Sequence, residues 1–471
     1  MINRRIFLRQ AGLTSLGFLG LQSFITSCQP SSAGTEGGTI SSLGLSEGYG
    51  PLLDDIEGIL QLPKGFTYKI ISRHGDKMDD GFYVPGLADG MATFPGPDGK
   101  VIIIRNHEVS PEDVEYGPFG KRKELLKKMD KNKMYDYARG KRPGMGGTTT
   151  VVYNPFTGEV EQQYLSLSGT IRNCAGGPTP WGSWITCEED TTPASKVFER
   201  NHGYNFEVPA SVTPALADPI PLLDMGRFNH EAICVDPATS IVYQTEDRGD
   251  GLIYRYIPNE PGKLAKGGKL QLLAIKGAPS YDTRNWAELD TERMEINLKY
   301  EVEWIDIDDI HAPDDDLRFR GFQKGAARFA RGEGMWFGEG ELYFACTNGG
   351  ELQHGQLFRY VPSPKEGTPD EKDQPGTLEL FLEPNNIDLL KSCDNLTISP
   401  FGDVVLCEDR ETPRIVGVSP QGEIYHIGKN TGFRSEFAGG VFSPDGNTYF
   451  VNIQGPGLTL AIQGPWNKRV V

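Results

Sequence analysis

One pattern recurs along the chain and limits what it can fold into: a short strand, a tight turn of Pro and Gly, then a second apolar strand. It reads NCAGGPTPWGSWITCEED around Pro180 and Gly182, DNLTISPFGDVVLCED around Pro400 and Gly402, and AGGVFSPDGNTYFVNIQ around Pro444 and Gly446. Further copies are NHEAICVDPATSIVYQTED on Pro237 and DGMATFPGPDGKVIIIRNHE on Pro95 or Pro97. RGEGMWFGEGELYFACTNGG lacks the proline but keeps Gly338 and Gly340. Gly and Pro set the reversal, and the apolar runs on either side set the strands, so each copy predicts a β-hairpin. With 58 Gly and 33 Pro in 471 residues the chain is rich in turns. Each copy has about 70 residues at its disposal, enough for a four-stranded blade and its loops. The expected fold is therefore all-β, a six-bladed β-propeller with loop and short helical insertions, forming a single catalytic domain over 51–471. The basic run KRKELLKKMDKNK at 121–133 is expected to be a solvated surface helix in an insertion.

Equivalent positions of propeller blades face one axis, so the hairpin ends deserve comparison. Six residues before the anchoring proline stand Asp89, Cys174, Glu231, Asp394 and, in the last copy, Ala438; Glu333 falls within a residue of this place. Eight or nine residues after it stand Asn106, Glu188, Glu246, Glu408 and Asn452, with Thr347 or Asn348 in the copy without proline. Asp89, Cys174, Glu188, Glu231, Glu246, Glu333 and Glu408 would thus meet at one channel mouth, with Glu108, Glu189, Asp247, Asp394 and Asp409 beside them. So many carboxylates cannot ionise side by side without countercharge, and multivalent cations supply it. Carboxylates and carbonyls suit hard cations such as Ca2+, whereas one thiolate among oxygens suits a softer or redox-active metal. His107 and His230, each within an Asn-His-Glu triplet, fall at opposite ends of their hairpins and are expected to be satisfied neighbours rather than ligands.

The first residues stand apart from this pattern. NRRIFLR at 3–9 matches a twin-arginine export signal, and an apolar run at 11–25 ends in Ile25-Thr26-Ser27-Cys28, the shape of a lipoprotein cleavage box. The expectation is a leader over 1–28 with Cys28 lipidated and a flexible linker over 29–50. The protein would then be an exported monomer, periplasmic or cell-surface, held to a membrane by its lipid. Cys174, Cys187, Cys234, Cys346, Cys393 and Cys407 remain. Cys187, Cys346 and Cys407 lie at matching places in apolar strands, where free cysteine packs as a small hydrophobe, so disulfides are not expected. The net charge of −17 argues against a nucleic-acid partner. No Ser-His-Asp arrangement and no Walker loop is present to support a covalent serine or a nucleotide-driven route.

These same residues carry a resemblance. GGTTTVVYNP (146–155), SGTIRNCAGGPTPWGSWITCEED (168–190), GRFNHEAICVDP (226–237) and YQTEDRGDGLIYRY (243–256) resemble the PhoX family of alkaline phosphatases. CDNLTISPFGDVVLCED (393–409) and SEFAGGVFSPDGNTYFVNIQGPGLTLAIQGPW (435–466) continue the match in order to the C-terminus. The resemblance implies a six-bladed propeller with ferric (Fe3+) and calcium ions at its mouth and hydrolysis of small-molecule phosphomonoesters. It implies Cys174 as the thiolate ligand of iron, and Glu188, Glu231, Glu246, Glu333 and Glu408 as cluster carboxylates, with Asp394 beside them. Arg331 would bind the substrate phosphate, with Glu333 next to the chemistry. The family usually writes Arg-Pro-Glu-Gly here, whereas this chain has Arg331-Gly332-Glu333-Gly334, and glycine frees a backbone that proline would fix. The alternatives are a calcium-dependent phosphodiesterase or lactonase-like hydrolase, and a non-catalytic calcium-binding propeller.

Overall fold

The computed structural model describes residues 44–470. The leader with Cys28, and the linker as far as residue 43, lie outside the described residues. The fold is all-β and propeller-like, built from antiparallel meanders whose first strands are Ala88–Pro95 (β1), Asn173–Pro178 (β2), His230–Val235 (β3), Gly332–Gly338 (β4), Cys393–Ile398 (β5) and Phe437–Phe442 (β6). Each of these strands forms the edge of its meander, and each pairs with the strand that follows it as a hairpin. All the hairpins read from the sequence are present.

β1 leads a four-stranded sheet and β2 a three-stranded one. The meanders of β3 and β4 join through Lys299–Asp306, which pairs with Gly268–Ile275 on one side and Thr377–Leu382 on the other, giving nine strands in one sheet. The sheet of β5 is extended on its outer edge by Leu60–Pro63 and Leu52–Leu53. The last sheet takes its outermost strand from the other end of the chain: Thr67–Arg73 pairs with Leu458–Gln463.

β1 to β6 pack against one another in order, β1 on β2 and so on, and β6 returns to β1. The approach is backbone to backbone. A Cβ on Gly334 of β4 would lie 2.5 Å from Leu396 N of β5, and one on Gly439 of β6 would overlap the carbonyl oxygen of Asp89 in β1. Gly439 also has φ +65°, so the position needs glycine twice over. Between the sheets lies the apolar core. Tyr243, Phe329, Phe344, Phe358 and Tyr360 pack together between the two joined meanders of the nine-stranded sheet, while Ile102 and Ile104 pack with Trp184 and Phe206 between the sheets of β1 and β2. Each fully buried side chain of this size contributes about 1.5–3 kcal/mol.

The run at 121–133 is not a helix but coil with 3-10 turns at Leu126–Lys128 and Lys131–Lys133. Leu126 and Met129 are pulled into a pocket with Phe119, Met134 and Met145, and this anchoring overrides local propensity. The one α-helix among the described residues is Leu317–Gln323 (α1), and no helix there is long and apolar enough to cross a membrane. The six cysteines from Cys174 onwards are free and buried, among them Cys187, Cys346 and Cys407, which were expected so from their strand positions. Within the segment read as linker, Ser46 N donates to Ile424 O at 2.7 Å and Tyr49 OH to Trp466 O at 2.8 Å.

Candidate metal centre

Each hairpin carries the same irregularity at its start. Ala88 pairs with His107 but Met91 with Arg105; Asn173 pairs with Glu188 but Gly176 with Thr186. The shift recurs after His230, Gly332, Cys393 and Ala438. Two residues of the inner strand therefore oppose one of its partner, which is a β-bulge, and a bulge re-aims the side chain it displaces. The first displaced residues are Asp89, Cys174, Glu231, Glu333, Asp394 and Gly439. The bulges thus turn the predicted donors towards the centre of the ring, one per hairpin, and leave the last place to glycine rather than to Ala438.

The donors converge. Asp89, Glu108 and Cys174 offer ligand atoms within 4.8 Å of one another, as do Cys174, Glu189 and Glu231, and again Glu231, Glu333 and Asp394. Glu231 is fully buried, and among the described residues neither of its oxygens has a hydrogen-bond partner; Asp89 Oδ1 is likewise buried and unpartnered there. Burial, then the fields of Glu108 and Asp394, holds the Asp89 carboxyl well above the usual range. Burial, then Glu189 and Asp394, does the same to Glu231, and burial with Asp247 and Asp394 to Glu333. Glu108 is pushed up to about 8 by burial, against the lowering field of Arg172, and Asp394 to about 7 by burial and Asp409. Burial, with Asp89 and Glu231 behind it, also raises the Cys174 thiol. With no cation to hold, these groups resist ionisation; a multivalent cation reverses the sign of that field.

Three of the predicted ligands, Glu188, Glu246 and Glu408, are not among these convergent groups. Glu188 accepts from Ile171 N at 3.0 Å and Gly203 N at 3.0 Å, with His202 Nδ1 at 2.7 Å. Glu246 accepts from Leu252 N at 3.1 Å and Tyr254 OH at 2.7 Å. Glu408 accepts from Lys391 N at 2.8 Å and Arg414 Nε at 2.7 Å. Each is the last residue of its strand, and the next residue points the other way because side chains alternate. Those next residues, Glu189 and Asp247, named above as neighbours of the predicted donors, face the cluster.

Two arginines border the cluster. Arg331 donates from Nε and Nη2 to the two oxygens of Asp247, both at 2.7 Å, and from Nη2 to Glu333 Oε1 at 2.9 Å. Arg172 bonds Glu189 and lies 2.5 Å from Glu108 Oε1. Sequence reasoning missed Arg172, although it precedes Cys174 by two residues as Arg331 precedes Glu333. It also missed Glu436, whose carboxyl is raised by burial and by Asp394, Asp409, Asp89 and Glu108, so that β6 sends an acid from the loop before it. His107 bonds Gly86 O at 3.0 Å and Thr149 Oγ1 at 2.8 Å, and His230 bonds Gly226 O at 3.1 Å, so neither imidazole is aimed at the cluster through those nitrogens. Beneath the donors, Met91, Trp184, Met335, Trp336 and Leu396 leave a cavity of about 20 Å³, room for one water.

Comparison with solved structures finds a gluconolactonase, XC5397 of Xanthomonas campestris (10% identity, 86% of this chain and 97% of that chain, TM-score 0.39). It also finds a protein of unknown function from Bacteroides thetaiotaomicron (8%, 84% and 76%, TM-score 0.43) and the PQQ domain of pyranose dehydrogenase from Coprinopsis cinerea (9%, 86% and 97%, TM-score 0.31). No curated protein sequence matches the chain. The family model for alkaline phosphatase PhoX matches residues 47–457, the whole span of the described meanders up to their last turn, and the protein belongs to that family of alkaline-phosphatase-type hydrolases.

Proposed function

We propose that the protein is a metal-dependent phosphomonoesterase acting at the mouth of a six-bladed propeller. The observation that carries this reading is Glu231, whose buried oxygens have no hydrogen-bond partner among the described residues and lie among donors from three other hairpins. A buried carboxylate left so is costly unless a cation completes it. The donor set fits the cations the family implies: oxygen-only groups around Glu231, Glu333 and Asp394 suit calcium, and a thiol beside carboxylates suits iron. The six-blade reading rests on the closed order β1 to β6, with the nine-stranded sheet taken as two blades bridged by Lys299–Asp306.

Asp89, Cys174, Glu231, Glu333 and Asp394 would hold the ions, with Glu108, Glu189 and Asp247 completing the shell. When bound, such ions neutralise phosphoryl charge and activate water for hydrolysis. The chain's own part is to exclude solvent from below the site through the packed Met91, Met335 and Trp336, and to present guanidinium charge above it. Arg331, held by Asp247 and Glu333, is placed to grip phosphoryl oxygens as charge redistributes. Export by the twin-arginine route and lipidation at Cys28 belong to the same proposal on sequence grounds. Cys28→Ser should move the protein from the membrane fraction to the soluble one.

The decisive experiment measures metal content of the purified protein alongside turnover of a chromogenic phosphomonoester, before and after calcium chelation. Iron with calcium, and turnover abolished by chelation, is the expected result. Calcium alone with turnover of a diester or lactone would replace this reading with another hydrolase, and no turnover of any of them would leave a binding propeller.

A further inference from the structure

Arg172 and Arg331 are built alike. Each stands two residues before the displaced donor of its hairpin, and each has a left-handed backbone, φ +48° and +52°, which side chains other than glycine rarely adopt. Each commits Nε and Nη2 to protein acceptors: Arg172 to Glu189 and Glu108, Arg331 to Asp247 and Glu333. In both, Nη1 donates to no protein atom among the described residues. Each side chain is about a third exposed, 35% and 39%, above carboxylates that are almost wholly covered.

The two are also joined. Arg172 holds Glu189, Glu189 Oε1 accepts from Asn229 Nδ2 at 2.9 Å, and Asn229 Nδ2 also bonds Asp247 O at 3.0 Å. Asp247 in turn holds Arg331. Asn229 occupies the same place before Glu231 that the arginines occupy before Cys174 and Glu333. Three consecutive hairpins thus contribute Arg, Asn and Arg to one hydrogen-bonded arc on the rim of the mouth.

We propose that Arg172 is a second substrate-binding residue, and that its free Nη1 acts with that of Arg331 on the oxygens of a single phosphomonoester. This rests on the phosphomonoesterase reading above. Forked donors fixed from behind by carboxylates present the remaining N–H groups in a defined direction, which suits a tetrahedral oxyanion with several acceptors. A lysine at position 172 would keep the charge but lose the fork.

The test uses the metal-loaded enzyme and inorganic phosphate as the probe, measured as a competitive inhibitor and by calorimetry, with metal content recorded for every variant. Arg172→Gln should weaken phosphate by about 10- to 100-fold and raise KM more than it lowers kcat, with metal content unchanged. Arg172→Lys should recover part of that loss. Phosphate affinity within twofold of wild type in Arg172→Gln overturns the proposal. So does loss of metal in step with phosphate in both variants, which would make Arg172 a counter-ion for Glu108 and Glu189 only. If Arg331→Gln weakens phosphate while Arg172→Gln does not, the second arginine alone is refuted. If wild-type enzyme neither binds phosphate nor turns over phosphomonoesters, the underlying reading falls instead.

Discussion

Glu188 and Glu189 are neighbours in sequence and opposites in environment, as are Glu246 and Asp247. The first of each pair is fully buried and hydrogen-bonded away from the cluster: Glu188 takes two backbone amides and an imidazole, and Glu246 takes an amide and a tyrosine hydroxyl on Oε2 while its Oε1 has no partner among the described residues. The second faces other carboxylates across the mouth and depends on Arg172 or Arg331 for countercharge. One residue of strand alternation separates a group that ties loops together from a group set among other carboxylates. Residue type alone therefore says little about which acids in such a site bind metal; the hydrogen bonds already made say more.

Substitutions on the two sides of this divide should behave differently. The largest effect is expected on the inner side. Glu231→Gln and Cys174→Ala should each lower turnover by at least about a hundredfold and reduce bound metal; in Glu231→Gln the thermal midpoint of the metal-free protein should be kept or raised, since a carboxyl crowded by others is removed. Full metal and full activity in both variants would erase the distinction. On the outer side, Glu408→Ala leaves the buried Arg414 without its carboxylate and should cost about 3–5 kcal/mol by denaturant unfolding, while turnover per folded molecule stays near wild type.

A pH experiment sharpens the same contrast. Carboxyls raised in the folded state, Glu108 to about 8 and Asp394 to about 7, bind protons that the unfolded chain has already released above its ordinary carboxylate range. Their stabilising protonation is present at low pH and lost as pH rises through 7 to 8. Metal-free protein should therefore become less stable from about pH 5 to pH 8, and metal-loaded protein should not, as read by thermal melts. The smallest effect is expected at the far end of the hairpin. Gly182 has φ +85° with open space around its Cβ direction, so Gly182→Ala should cost about 1–2 kcal/mol and leave metal and turnover untouched.

How far the sequence reached follows from what is local. The hairpins were legible because turn and strands lie within one short window, as in Pro180-Trp181-Gly182 between NCAGG and SWITCE. The spacing of Asp89, Cys174, Glu231 and Asp394 was legible for the same reason. The bulges are not, since they depend on which backbone group of the partner strand is skipped; nor is the divide between Glu188 and Glu189, which depends on the loop amides at Ile171 and Gly203 that reach the first of them. The helix expected at 121–133 failed because Leu126 and Met129 are claimed by residues near 119 and 145, a tertiary effect that charge periodicity cannot register. Arg172 had a signal, its place relative to Cys174, which becomes visible only once Arg331 is seen to share it.

The pairing of Thr67–Arg73 with Leu458–Gln463 has a kinetic consequence. Arg73 meets Leu458 across nearly the entire chain, so the ring cannot close until synthesis is almost complete, and the last sheet must wait with one edge bare. Contacts of such long range slow folding, and an unpaired edge invites other chains to pair with it. A chain truncated before Leu458 would lose more than one strand: it would leave Thr67–Arg73 without its partner and Thr448–Ile453 as a bare edge, both sites of aggregation.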